Sequence, residues 1–245
     1  MIFNMKKIAL ILGGFGGVGY ACASILAQNG YNLIVVHRGR RAKAEENKHK
    51  VLELEKYGIN VTEIKGNATT TECMSKVCNE LRDVRVKCFV HAIADGNIGN
   101  IFSGDRILNA DSFLSTFNSM CVSFASWTQF LLENGILERD SHLFGFSSEG
   151  ANIVFPQYAA NGVAKAGLET LCRYMANELA CKKISVNIIR AGIMDTMAVK
   201  VFGVNNCIQE LMGKGCRTSS PKVVAEKMMS IICNRNFVTG QIIDV

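Results

Sequence analysis

The sequence predicts a three-layer, doubly wound α/β domain built on a central, mostly seven-stranded parallel sheet. Three observations carry that reading. Short apolar runs alternate with longer helical patterns along the whole chain, the runs are continuous in Ile, Leu and Val, and 49% of the 245 residues are hydrophobic. Continuous apolar runs belong to strands buried on both faces, and an intervening helix returns the chain to start a parallel neighbour. A single domain from 1 to 245 is expected, because no internal repeat and no Pro- or Ser-rich linker divides the chain. Two prolines and a mean hydropathy of +0.17 exclude a disordered or collagen-like protein.

The elements follow in order. Lys7 to Leu12 is the first strand, and a glycine-dense turn leads from it into a helix from Val18 to Asn29. Leu33 to His37 is the second strand, followed by a basic helix from Arg41 to Tyr57. Val61 to Lys65 precedes a helix from Thr71 to Arg82, and Val86 to His91 precedes the long helical pattern from Asp111 to Asn134. The fifth strand, His142 to Ser147, leads to a helix from Gln157 to Cys181. Ile184 to Arg190 is the sixth strand, Pro221 to Cys233 the last helix, and Gln241 to Val245 the seventh strand. The irregular stretch 193–220 follows a late strand. It is expected as a mobile substrate loop over the strands' carboxyl ends, where such sheets bind ligands.

Composition excludes several function classes. The net charge of +6 would suit a polyanion only if basic residues clustered, and they cluster once, at Arg38, Arg40, Arg41, Lys43, Lys48 and Lys50. Glu45 and Glu46 interrupt that cluster and no aromatic is interleaved, so a nucleic-acid partner is not expected. Ten cysteines without pairing rhythm read as small buried apolar residues in a reducing, cytoplasmic setting. His37, His49, His91 and His142 lack zinc spacing and Cys-x-x-Cys is absent, so no metal is expected. Lys6, Lys7 and the apolar run to Ala21-Cys22-Ala23 imitate a signal peptide, but five of the seven residues from Gly13 to Gly19 are glycine, which would break an apolar helix. No uninterrupted apolar stretch reaches membrane-spanning length either.

The turn after the first strand is Gly13-Gly14-Phe15-Gly16-Gly17-Val18-Gly19. Gly14-x-Gly16-x-x-Gly19 is the general dinucleotide pattern of Rossmann-like sheets, in which glycines let backbone approach a pyrophosphate seated on a helix N-terminus. Gly13, Phe15, Gly17, Val18 and Gly19 are therefore candidate cofactor residues. An acid against the ribose 2′-hydroxyl would be expected after the second strand for NAD. Here stands His37-Arg38-Gly39-Arg40-Arg41, with no acid before Glu45, and an arginine fork complements a 2′-phosphate. The expected cofactor is NADP(H), held at His37 and Arg38.

Gly13-x-x-x-Gly17-x-Gly19 is also the glycine pattern of the short-chain dehydrogenase/reductase family, which the sequence resembles over nearly its full length. The resemblance includes Asn67-Ala68 where the family contacts adenine and His91-Ala92-Ile93-Ala94 where most members show Asn-Asn-Ala-Gly. It continues through Asn187 to Gly192 and on to Thr196, where members bind the nicotinamide amide, with Ala191 in place of the usual proline. The resemblance thus adds Asn67, Ala68, His91, Ala92, Ile93, Ala191, Ile193 and Thr196 to the cofactor residues. Ordinary members carry Tyr-x-x-x-Lys, but Asn161 stands four before Lys165 and the tyrosine is Tyr158, seven before it. Both spacings return to nearly the same helix face. Tyr-x6-Lys, Phe155-Pro156-Gln157-Tyr158 and Arg173-Tyr174-Met175-Ala176-Asn177 resemble the enoyl-acyl-carrier-protein reductases of the family.

The resemblance implies an NADPH-dependent reductase of enoyl thioesters on an acyl carrier protein or other thioester-linked substrate. Tyr158 would face the thioester oxygen, Lys165 would hold the nicotinamide ribose and favour ionised Tyr158, and Asn161 would be a bystander. Ser148, seventeen before Lys165, stands where a ketoreductase keeps its carbonyl-binding serine, and Ser147 to Val154 contains no second tyrosine. Counting offers Asn118 as the family's helix asparagine, whereas an ungapped alignment lands nearer Met120. A carbonyl reductase of the same fold and a cofactor-binding protein without turnover are the alternatives. Pairing through the two long helices, as in relatives, implies a homodimer or homotetramer.

Overall fold

The computed structural model describes residues 7–81, 84–194 and 216–245. Its strands are β1 (Ile8–Leu12), β2 (Asn32–His37), β3 (Val61–Lys65), β4 (Val86–His91), β5 (Leu137–Ser148), β6 (Ser185–Ala191) and β7 (Ile242–Asp244). The helices are α1 (Gly17–Gln28), α2 (Ala44–Glu55), α3 (Thr71–Glu80), α4 (Ala110–Phe117), α5 (Ser123–Glu133), α6 (Ala159–Leu179) and α7 (Pro221–Ile232). All seven strands pair in parallel, in the order β3-β2-β1-β4-β5-β6-β7. The chain order reverses at β1, between β2 and β4. That reversal opens the crevice at the strands' carboxyl ends that doubly wound sheets use for ligands.

Two-residue strand periodicity divides the core in two. Leu10, Leu12, Val36, Phe89 and Leu143 face one way, under Val77 of α3, Trp127 of α5 and Leu168 of α6. Ala9, Ile11, Val35, Val90 and Ile189 face the other way, under Leu26 of α1, Leu54 of α2 and Met228 of α7. Every side chain from Ala9 to Leu12 is fully buried, as a strand sandwiched between helix layers requires.

Three boundaries differ from the sequence reading, each for a visible reason. The pattern from Asp111 to Asn134 is not one helix: a five-residue π-helical segment, Asn118–Val122, separates α4 from α5. There the Ser119 hydroxyl donates to Asp95 O and the Ser123 hydroxyl to Ser119 O at 2.7 Å, side-chain bonds that compete with the α-helical ladder. The helix expected from Arg41 opens as a 3-10 turn, Arg41–Lys43. Strand β5 starts at Leu137, because the ladder to β4 passes from Val86↔Leu137 to Cys88↔His142 across a bulge. Ser141 stabilises that bulge, donating to Val86 O at 2.7 Å and accepting from Glu138 N. Most of the expected loop at 193–220 lies outside the described residues, as do Thr196 and Cys207.

Candidate active site

Strand β1 delivers the glycine turn to the crevice. Gly13 has φ +75°, its N–H donates to Val36 O at 2.9 Å, and a Cβ there would lie 2.5 Å from Ala92 O. A Cβ on Gly19 would collide with Gly13 O, so the turn and the first turn of α1 can touch only as glycines. Helices α3, α4 and α7 are capped by the side chains of Thr70, Asn109 and Ser220, whereas α1 follows Gly16 with no side-chain cap and no acid in its first turn. Its leading amides are left to an anion. A dinucleotide pyrophosphate fits this cradle.

The second strand ends in a fixed array. His37 Nδ1 accepts from Gly39 N at 3.1 Å, which leaves Nε2–H to donate to Glu63 at 2.9 Å, and the ring packs on Phe15 with centroids 4.9 Å apart. Phe15 is thus buried beneath the turn and supports it. Arg38 donates two bonds to Asp95, at 2.9 and 3.1 Å. Asn67 shapes the turn before α3 by accepting from Thr69 N and Oγ1, and Ala68 O accepts from Trp127 Nε1 at 2.6 Å.

Beyond the glycines lies a cavity of about 140 Å³. Val18, Ala92, Ile93, Ala191, Ile193, Ser148, Tyr158 and Lys165 line it, together with Met120 and Asn161. Gly13, Phe15, Gly17, Gly19, His37, Arg38, Asn67, Ala68 and His91 stand outside its lining, along the approach or behind the wall. Asn118 does not line it, and Met120 occupies the corresponding wall.

Tyr158 directly precedes α6, and its hydroxyl lies 3.2 Å from the Ser148 hydroxyl at the end of β5. The ring fits against Gly150, where a Cβ would lie 2.5 Å from it, and against Phe155 at 5.6 Å between centroids. Burial raises the phenol pKa above its ordinary value, with the Ser148 contact pulling the other way. An ordinary phenol is already protonated at neutral pH, and burial moves Tyr158 further in that direction. Lys165 is buried, donates from Nζ to Phe146 O at 2.7 Å, and has its pKa lowered to about 8 by burial, against the opposing pull of Cys121 and Glu169. His91 supports the wall from behind. Its Nε2 meets the Ser123 hydroxyl at 2.7 Å, and burial, reinforced by the Lys165 charge, lowers its pKa to about 3, so the ring is neutral.

Asn161, in the four-residue position before Lys165, makes a structural contact. Fully buried, it donates from Nδ2 to Asn97 O at 2.7 Å, while its Oδ1 packs against Gly96 without a hydrogen-bond partner. Asn97 in turn donates to Ser112 O and Ser115 Oγ of α4. Asn161 thereby ties the segment after β4 to α6. The N–H groups of Gly192 and Ile193 donate to Val245 O and Arg217 O.

A charged network behind the site was not anticipated. Glu169 accepts from Ser147 Oγ at 2.6 Å and from two nitrogens of Arg190, while Arg217 donates to Glu149 and to Asp244. Glu149 is buried beside the cavity, and Arg217 lies just past the incompletely described loop. The available sequence signal was Arg190 inside an apolar strand, a charge that must find a partner.

A family model described as Enoyl-(Acyl carrier protein) reductase matches residues 14–245. An enoyl-(acyl-carrier-protein) reductase (NADH) of Enterococcus faecalis is 28% identical over 200 residues, 81% of this chain and 77% of that protein. The 1-cyclohexenylcarbonyl-CoA reductase of Streptomyces collinus is 28% identical over 202 residues, 81% of this chain and 69% of that protein. The fold is shared with a short chain dehydrogenase from Burkholderia cenocepacia solved in complex with NADP, at a TM-score of 0.84 and 18% identity over 98% of this chain and 96% of that one.

Proposed function

The chain belongs to the short-chain dehydrogenase/reductase family, and from that premise we propose that it is an NADPH-dependent reductase of enoyl thioesters carried by an acyl carrier protein or a similar thiol. The observation that carries this reading is that Tyr158 and Lys165 line one cavity, with the Tyr158 hydroxyl 3.2 Å from Ser148 Oγ, while Asn161, in the four-residue position, donates to a backbone carbonyl. In this reading Gly13, Gly17 and Gly19 with the start of α1 hold the pyrophosphate, and Arg38 beside His37 takes the 2′-phosphate. Asn67 and Ala68 border the adenine. Val18, Ala92, Ile93, Ala191 and Ile193 flank the nicotinamide, with Thr196 following. Bound there, the cofactor supplies a hydride to the β-carbon of the conjugated thioester.

The protein's own part is electrostatic. The Tyr158 phenol, protonated at neutral pH, donates to the thioester oxygen as charge develops there, a contribution of about 3 kcal/mol. Ser148 holds that hydroxyl on its other side, and the mainly apolar lining keeps water from competing for it. Lys165, a cation below about pH 8, binds the ribose hydroxyls. The 3.2 Å approach of Ser148 to Tyr158 also favours a second reading, in which both hydroxyls polarise a ketone. NADPH oxidation with a crotonyl thioester but not an acetoacetyl thioester supports the first reading. The reverse supports the second, and NADPH binding without oxidation of either shows a binding protein. The reading includes pairing of two copies through the outer faces of α4 to α6, where Phe117, Val122, Leu171 and Tyr174 line a groove; light scattering reads the mass.

A further inference from the structure

The carboxylate on Arg38 bears on which nucleotide the site prefers. The guanidinium follows β2 and Asp95 follows β4, with β1 between them in the sheet, so their fork-like pair spans roughly 10 Å above the carboxyl end of β1, where the glycine turn begins. A dinucleotide lying on that turn must pass this bridge. Asp95 is presented from a fixed backbone: its carbonyl accepts from Ser119 Oγ, and two residues on the Asn97 carbonyl is held by Asn161. Both side chains remain about half exposed, so the pair is accessible to a ligand. The planar fork that grips a carboxylate suits a phosphate equally well, and it cannot grip both in the same geometry.

We propose that Asp95 is a specificity-determining residue: it competes with a nucleotide's 2′-phosphate for Arg38 and so moderates the preference for 2′-phosphorylated over plain adenine nucleotides. The inference rests on the NADPH reading above. It assigns a function to an acid that lies far from the position after β2 where a ribose-binding acid is sought, and it predicts a weaker preference than Arg38 alone would give.

The test is calorimetric binding of 2′,5′-ADP and 5′-AMP to the wild type, Asp95→Asn, Arg38→Ala and the double variant. Asp95 is exposed and Asn keeps its size, so the fold is retained. An exposed pair of this kind is weak, and Asp95→Asn is expected to raise the ratio of 2′,5′-ADP to 5′-AMP affinity roughly fivefold in the wild-type background. That gain must vanish when Arg38 is already Ala. A gain that persists without Arg38 overturns the proposal, because the carboxylate would then act only through its general field. A wild-type preference for 2′,5′-ADP that Asp95→Asn does not move overturns the proposal and leaves the NADPH reading standing. Equal affinity for the two nucleotides in both the wild type and Asp95→Asn removes the NADPH reading together with the proposal.

Discussion

Tyr158→Phe deletes one oxygen and leaves the ring against Gly150 and Phe155. In the resting protein that oxygen is 3.2 Å from Ser148 Oγ, and losing a typical hydrogen bond should cost the fold about 1 kcal/mol and lower Tm by about 2–4 °C. In the reaction the same oxygen faces developing negative charge from a buried position, where removing one donor costs about 3 kcal/mol, roughly a hundredfold or more in kcat. The disparity between these magnitudes is the signature of a group whose weight lies in the transition state. The assay is NADPH oxidation with a crotonyl thioester alongside calorimetric NADPH affinity and a thermal melt. kcat should collapse while Kd for NADPH hardly moves. If Tyr158→Phe keeps full activity, the hydroxyl is not the donor, and Ser148 becomes the residue to test. If Ser148→Ala and the double variant lose about as much as Tyr158→Phe alone, the two hydroxyls act as one unit.

Lys165→Met should weaken NADPH binding as well as turnover, unlike Tyr158→Phe, and equal NADPH affinity to the wild type would remove Lys165 from the ribose site. Asn161→Tyr, which restores the ordinary Tyr-x-x-x-Lys spacing, should destabilise the protein by about 2 kcal/mol or more in urea melts, because Asn161 already fills the space against Gly96 and Met120. Asn161→Ala should speed amide exchange across residues 95–100, and unchanged protection there would show that the bond to Asn97 O does not hold the segment. Arg217→Met leaves the buried Glu149 carboxylate without its main partner and should cost about 2 kcal/mol, recovered in part by adding Glu149→Gln. For His91 the folded pKa of about 3 lies below the ordinary value near 6.5, so between those values the unfolded chain binds the extra proton and stability falls as pH falls. His91→Gln should therefore flatten the acid limb by up to about 1.4 kcal/mol per pH unit, read from urea midpoints at pH 7 and 4.5.

The sheet was legible because strand burial is written locally. A segment such as Ala9–Leu12, apolar at every position, can be satisfied only between two helix layers, and the helices between such segments leave a parallel sheet as the solution. The glycine turn was legible for a similar reason, since backbone contacts that admit no Cβ leave no other residue type. Tyr158 and Lys165 could be placed on one face from helical spacing alone. Spacing could not show that the long helix opens into a π segment at Asn118–Val122, because the cause is a serine bond to Asp95, 24 residues away.

The sequence by itself therefore determined the layers, the order of the elements, the glycine turn and the placing of Tyr158 and Lys165 on one cavity wall, all of which follow from short-range pattern and steric exclusion. Tertiary structure alone decided the polar partnerships. Arg38 meets Asp95 across 57 residues, Asn161 meets Asn97 across 64, and Arg217 meets Glu149 across 68. A charged or amide group advertises in sequence that it needs a partner, but not which one. Hydrogen-bond satisfaction is directional and acts over about 3 Å, a distance that exists between remote residues only after the sheet has brought its strand ends together.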